Sequence, residues 1–354
     1  MLRQLARLTR AVPAAGEGAL AIAIYADDED APQPAAEAGY EGVACVDDAA
    51  RAFELLCETY VATTDRRVLA WARGLLKFLL WMHDGEGRWV NFIHDWEGSK
   101  NVDGRTSAPG VNFWQARALN AMAMAATRLD DGQAAGALEN GLRDGFNAPV
   151  PPDVRALQMT ALCRWREPHP GAADLERLGS AADELILCSS GGVLMNSPDE
   201  RGIPHLWGHI QEGVLADASR LLVREELLTA ARRSAELVFV ELIESGFQTA
   251  HMQPYGVQSA VFVMDRLAAA TGEGRYSRLA RQARSWFDTR NPTGLPIYDR
   301  STGRVADGVD DMRVNRHSGA ESNVAAGLAL LPQVIQLVRD QPAVGPLFGF
   351  EDLG

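Results

Sequence analysis

The spacing of amphipathic segments constrains this chain most. At a helical period of 3.6, the sequence reads as about twelve amphipathic segments, and they come as six pairs. Within a pair the connection is short, as at Asp130-Asp131-Gly132 and Gly272-Glu273-Gly274. Between pairs it is longer, and there most of the Trp, Gly, Asn and acidic residues that suit no core are found. Six helical hairpins close most naturally into an (α/α)6 barrel, an all-α toroid with its long loops on one rim. The first helices of the pairs are expected to start near residues 48, 111, 153, 205, 255 and 318. A spacing of roughly 40–65 residues also overlaps HEAT-type repeats, so an open solenoid is the alternative. Composition favours closure. The segments at 111–129, after Pro254 and from Ser318 are almost entirely Ala, Leu, Val, Met and Gly beyond their first turn, as an inner ring buried on every side would be. Their partners carry Arg and Glu on one face. The expected organisation is one domain over 1–354: an N-terminal helix and irregular lead-in (1–46), the barrel (47–340) and a tail (341–354).

Charge narrows the function classes. Lys and Arg number 34 against 47 Asp and Glu, a net charge of −13, with no basic run. Nucleic acid and anionic membrane surfaces are therefore poor partners, and a strongly anionic substrate is disfavoured. The four cysteines, Cys45, Cys57, Cys163 and Cys188, show no Cys-x-x-Cys spacing, which speaks against a zinc knuckle or a disulfide framework. Met1 to Val12 is basic and amphipathic, too short and charged for a signal sequence, and no run of about 18 apolar residues exists to span a bilayer. These features read as a cytoplasmic protein with no cofactor.

Five polar clusters fall in the long connections, where a rigid scaffold most often carries function. The first is Tyr40-Glu41-Gly42 with Asp47, Asp48 and Arg51. Capping a helix needs only one Asp, so the second, with Arg51 one turn on, is available to face the barrel mouth. The second cluster holds Asn91, Asp95, Trp96, Asn101, Asn112, Trp114 and Arg117. Tryptophans in a Gly-rich loop make platforms for the C–H faces of a pyranose, while Asn and Asp bond its hydroxyls; a self-packed loop is the structural alternative. The third is His205, Trp207, His209 and Glu212, with His205, His209 and Glu212 on one helical face by spacing. Two His and a carboxylate suit a metal, but no fourth ligand or recognised motif accompanies them, so Glu212 reads as a substrate contact or acid on a polar floor and no metal is expected. The fourth is His251, Gln253, Tyr255 and Gln258. The fifth and densest runs through Tyr298-Asp299-Arg300, Asp307-Gly308 and Asn315-Arg316-His317-Ser318-Gly319-Ala320-Glu321-Ser322-Asn323. Glu321 there opens an otherwise apolar helix, where a carboxylate is costly unless partnered or used.

At these residues the chain resembles bacterial six-hairpin glycosidase-like proteins. The likeness is carried by Asp47-Asp48-x-x-Arg51, Asn91-Phe92 with Trp96, Pro254-Tyr255-x-Val257-Gln258, Tyr276 through Trp286-Phe287, and Tyr298-Asp299 followed by Asp307-Gly308 and Gly319-Ala320-Glu321-Ser322. It covers roughly 38–332, and the last motif is the most specific. At Ala49 and Asn323 the family pattern has Asn and Thr. The resemblance implies the (α/α)6 fold, a carbohydrate ligand and a functional pairing with a glycosyltransferase.

The expectation from sequence is cleavage of a glycosidic bond in a neutral oligosaccharide by a carboxylate pair, one protonated and one ionised, with water or phosphate as the attacking group, as in a glycosidase or a phosphorylase. Candidates for that pair are Asp48, Asp95, Glu212 and Glu321, with Glu321 and Asp48 first. Asp47, Trp96, Asn112, Trp114, Arg117, His205, Trp207, His209, Tyr255, Asn315 and His317 are the expected sugar contacts. Two other classes stay open: a non-catalytic glycan-binding accessory protein, and a polysaccharide lyase using His205 or His209 with Tyr255 and Asn112.

Overall fold

The computed structural model describes residues 1–166, 171–342 and 345–348. The joint expected across Pro168 and Pro170 lies outside them, as does most of the 341–354 tail. The helices are α1 (Leu2–Leu8), α2 (Val46–Thr63), α3 (Arg66–Met82), α4 (Phe113–Arg128), α5 (Gly132–Asn147), α6 (Pro152–Arg166), α7 (Ala172–Leu187), α8 (Gln211–Leu222), α9 (Glu225–Ala235), α10 (Glu241–Glu244), α11 (Pro254–Thr271), α12 (Gly274–Arg284), α13 (Ala320–Ala329) and α14 (Leu331–Arg339). A π-helical segment, Glu236–Val240, joins α9 to α10. The six pairs are α2/α3, α4/α5, α6/α7, α8/α9, α11/α12 and α13/α14.

Local chemistry explains the tight turns. α2 ends on Thr64 in the left-handed region (φ 56°), and Asp65 then caps α3 by accepting from the Arg67 N–H at 2.8 Å. Gly272 (φ 70°) closes α11, and its N–H reaches the Ala268 carbonyl. Pro254 opens α11 at a position that needs no N–H donor.

Two differences from the sequence reading stand out. The helix expected near His205 starts at Gln211, because Gly208 takes φ 70° and the chain turns there, with the His209 N–H on the Leu206 carbonyl. The stretch 13–46, read as irregular, carries short antiparallel pairings. Leu20–Ile22 pairs with Thr9–Ala11, Tyr25–Ala26 with Pro32–Gln33, and Ala44–Cys45 with Phe92–Ile93.

The chain forms two compact units, one of residues 1–145, 298–307 and 315–354, the other of 146–297 and 308–314. In the first, α2 is the central helix and packs against α3, α4, α13 and α14. Its Ala49, Ala52, Phe53, Leu55 and Cys57 are fully buried. Gly327 lets α13 approach α2, since a Cβ there would stand 2.4 Å from Leu55 Cδ2. In the second unit α8 holds the equivalent position among α6, α7, α9 and α11, and Gly213 admits the Phe262 ring of α11 in the same way.

Glycine packing also fixes the loop after α3. Gly87 (φ 91°) lies on α5, and a Cβ there would meet the Asn140 and Gly141 backbone at 2.6 Å. Gly87→Ala is expected to cost about 1–3 kcal/mol, whereas Gly136→Ala, exposed in the middle of α5, should gain about 0.5–1 kcal/mol. Urea unfolding of the two variants checks both signs.

Candidate active site

The first turn of α2 is positioned by its neighbours in the first unit. The Val46 N–H donates to the Asn91 carbonyl at 2.8 Å, and the Asp47 N–H to Asn91 Oδ1 at 3.2 Å. Asn91 is itself tied to Thr106 through its amide (3.0 Å) and to Ser107 through its backbone (2.8 Å). Cys45 caps the helix, its Sγ accepting from the Asp48 N–H at 3.4 Å. Close approach at Gly42, where a Cβ would be 2.2 Å from the Ile93 carbonyl oxygen, allows the Ala44–Cys45 pairing that leads into the turn.

From this platform three carboxylates gather on one guanidinium. Arg51 Nη2 lies 2.5 Å from Asp48 Oδ1 and 3.0 Å from Asp47 Oδ2, and Nη1 lies 3.0 Å from Glu321 Oε1. Arg117 on α4 pairs with the same Asp47 oxygen. Asp48 is 4% exposed and Glu321 26%, so the cluster runs from a buried side to an accessible one. Glu321 is placed by the start of α13. There the Ala320 N–H donates to the Ile24 carbonyl (2.7 Å) and the Gly319 N–H to Asp307 Oδ1 (3.1 Å).

Burial pushes the Asp48 carboxyl up to about 7; Arg51 and Arg117 oppose the rise, and the negative charges of Glu321 and Asp47 add to it. Asp47 Oδ1 is buried with no hydrogen-bond partner among the described residues. Tyr25 donates to Glu37 Oε1 at 2.7 Å, and burial together with the charges of Glu37, Asp48 and Glu321 raises its hydroxyl well above the usual range, so it stays neutral beside the cluster. Sequence reasoning missed Tyr25, which sits on a two-residue strand with no periodic signal.

The other expected residues make contacts of their own. Asp95 shapes its own turn, accepting from the Gly98 and Ser99 N–H groups at 3.0 and 3.2 Å, with Trp96 half-buried beside it. Asn112 caps α4 by accepting from the Gln115 N–H (3.1 Å), and Trp114 Nε1 donates to the Trp89 carbonyl (2.8 Å). Asn315 Oδ1 accepts from the His317 N–H (3.2 Å), and the His317 side chain is exposed.

In the second unit the expected face of His205, His209 and Glu212 is not formed, because only Glu212 lies on the helix. His205 is exposed, 4.0 Å from Asp153. His209 and Glu212 are fully buried and face one another at 3.1 Å. Ser234 donates to Glu212 at 2.5 Å, and His209 Nδ1 meets Asn196 Oδ1 at 2.7 Å. Trp207 and Tyr255 are half-buried. Among the described residues no group of three His, Cys, Asp or Glu is arranged to hold a metal, and no helix is long and apolar enough to cross a membrane.

The raised Asp48 value makes stability depend on pH. Between the unfolded value near 3.8 and the folded value near 7, the native state holds a proton that the unfolded chain has lost. Stability present below pH 4 is therefore lost as pH rises to 7. Urea midpoints of the wild type should fall across this window more steeply than those of Asp48→Asn; equal slopes would show that Asp48 ionises normally.

No family model matches the chain, and no curated protein matches it in sequence. Solved structures do. A cellobiose 2-epimerase from Bacillus thermoamylovorans B4167 superposes with a TM-score of 0.68 at 12% identity, over 94% of this chain and 96% of that one. A D-mannose isomerase gives 0.67 at 10% identity, over 94% and 96%. A family 76 glycoside hydrolase from a bovine Bacteroides thetaiotaomicron strain gives 0.62 at 11% identity, over 89% and 73%. At this identity the likeness is one of fold: the chain has the (α/α)6 fold of six helical hairpins that carbohydrate-active proteins share.

Proposed function

We propose that the chain acts on a neutral sugar and moves a proton on it at the Asp48–Arg51–Glu321 cluster. One observation carries the reading: a buried carboxyl with a value near 7 lies against a guanidinium that it shares with a second, more accessible carboxylate. A general acid or base works best when its pKa lies near the working pH. Arg51 and Glu321 lie beside it.

Isomerisation or epimerisation of an open-chain sugar fits this charge arrangement best. The Asp48 carboxylate takes the proton from the carbon next to the carbonyl, the C–H electron pair forms the C=C bond, and the carbonyl pair moves onto oxygen. The resulting enediolate is anionic, and a guanidinium beside it lowers its energy. Return of the proton to the former carbonyl carbon, with the neighbouring hydroxyl proton passing to the former carbonyl oxygen, gives the other carbonyl sugar, and return to the opposite face of the first carbon gives the epimer. The epimerase and isomerase among the similar structures add support. Glycosidic cleavage, with Asp48 as acid and Glu321 as base, is the second reading, favoured by the similar glycoside hydrolase. Its transition state is cationic, and a guanidinium nearby opposes it.

Product analysis in D2O with a panel of neutral mono- and disaccharides separates these readings. The expected result is a product of unchanged composition that has gained deuterium on carbon. Turnover should fall on the order of 10²-fold or more in Asp48→Asn. New reducing ends, lost in Glu321→Gln, would replace this reading with hydrolysis, and binding without turnover would make the chain an accessory sugar-binding protein. For the wild type, kcat/KM should rise about tenfold per pH unit below 7 and level above it, as Asp48 loses its proton.

A further inference from the structure

The second unit holds a cavity of about 600 Å³ unused by the cluster described above. Its walls bring together two sequence clusters that lie more than forty residues apart. Trp207 and Tyr255 line it, with His205, Glu241 and Gln253 among its polar groups, while His251 lines it with its ring nitrogens 3.4 and 3.5 Å from Asp310 and Asp311. Between them lies apolar surface, and Ile203 and Leu237 at its edge are 75% and 52% exposed. Half-exposed aromatics among apolar side chains and a few polar groups are what one ring with apolar faces and a hydroxylated edge requires.

The walls are held in place. Asn196 Nδ2 donates to the His205 carbonyl at 2.9 Å, and Ser259 Oγ to the Leu206 carbonyl at 2.9 Å. The His251–Met252 strand pairs with Val309–Asp310. Thr249 Oγ1 donates to the His251 carbonyl at 2.9 Å. Gly256 lets these walls meet, since a Cβ there would be 3.0 Å from Met252 Sδ and 3.3 Å from Leu206 Cβ. The remaining wall is the π-helical segment, which contributes Leu237 and Val238. Single π turns inside helices are uncommon and tend to mark sites.

We infer that this cavity is a binding subsite for a neutral pyranose ring, with Trp207 and Tyr255 against its C–H faces and His205, Glu241 and Gln253 facing its hydroxyls. The choice of a sugar rests on the carbohydrate reading above, but not on the chemistry assigned to Asp48.

Calorimetric titration with maltose, lactose and methyl α-D-mannopyranoside tests it on the wild type, Trp207→Ala, Leu237→Arg and Asp48→Asn. Leu237→Arg fills the mouth from an exposed position, so it reports on the cavity even if Trp207→Ala perturbs packing. At least one of these sugars should bind the wild type and Asp48→Asn with similar Kd and bind both cavity variants roughly tenfold more weakly. Equal binding by all four proteins, loss of binding in Asp48→Asn alone, or no binding of any of these sugars to the wild type would overturn the inference. Cavity-dependent binding without any turnover would sustain it and end the catalytic reading of Asp48.

Discussion

The arrangement around Arg51 depends on one requirement: a guanidinium that is only 12% exposed must be neutralised where it stands. Taking a charge of that kind out of water costs several kcal/mol unless partners replace the solvent. Asp47, Asp48 and Glu321 supply them, and Arg117 in turn balances Asp47. Two guanidiniums and three carboxylates in one buried-to-accessible patch are a poor way to stabilise a fold, because apolar side chains of the same size would do so at lower cost. They are a good way to hold one carboxyl near neutrality. The positive end of the α2 dipole contributes as well, since it favours the acidic pair in the first turn.

Keeping these groups fixed falls to the loops. Asn91 serves both the Val46 and Asp47 N–H groups and is itself held by Thr106 and Ser107. Asn101 ties the same loop to the Glu41 carbonyl at 2.8 Å. On the other side the start of α13 is bonded to backbone at Ile24 and Ala26 and to Asp307. Many residues that looked like ligands for a substrate therefore spend their hydrogen bonds inside the protein. Asp95, Asn112 and Asn315 are of this kind.

The second unit shows the contrast between a buried polar network and an exposed one. His209, Glu212, Ser234, Asn196 and Gln211 are buried together, and little of them reaches solvent. That network fixes the chain between Asn196 and α8. The neighbouring residues His205 and Trp207, only a few positions away, are carried outward because the helix does not begin until Gln211. A difference of six residues in a helix start thus divides one sequence cluster into a structural half and an accessible half.

What the sequence determined by itself was the periodic part of the protein. Apolar residues recurring every three to four positions, Gly and Pro at the breaks, and acidic caps are local signals, so the six hairpins and most helix limits were legible, and the Ala-rich composition of α4 and α13 identified the helices buried on all sides. Glu321 was legible for a related reason, being a carboxylate at the head of an apolar helix. Tertiary structure alone decided which polar groups meet. Asp48 and Glu321 are separated by more than 270 positions and share Arg51 only because α2 and α13 pack together. Tyr25 joins them from a short strand that periodicity does not reveal, and the apparent His205–His209–Glu212 face dissolved once a glycine turn delayed its helix. Periodicity reports how a segment sits against the core; the partners of a buried charge are set by chain positions far apart in sequence, and these become neighbours only when the core has formed.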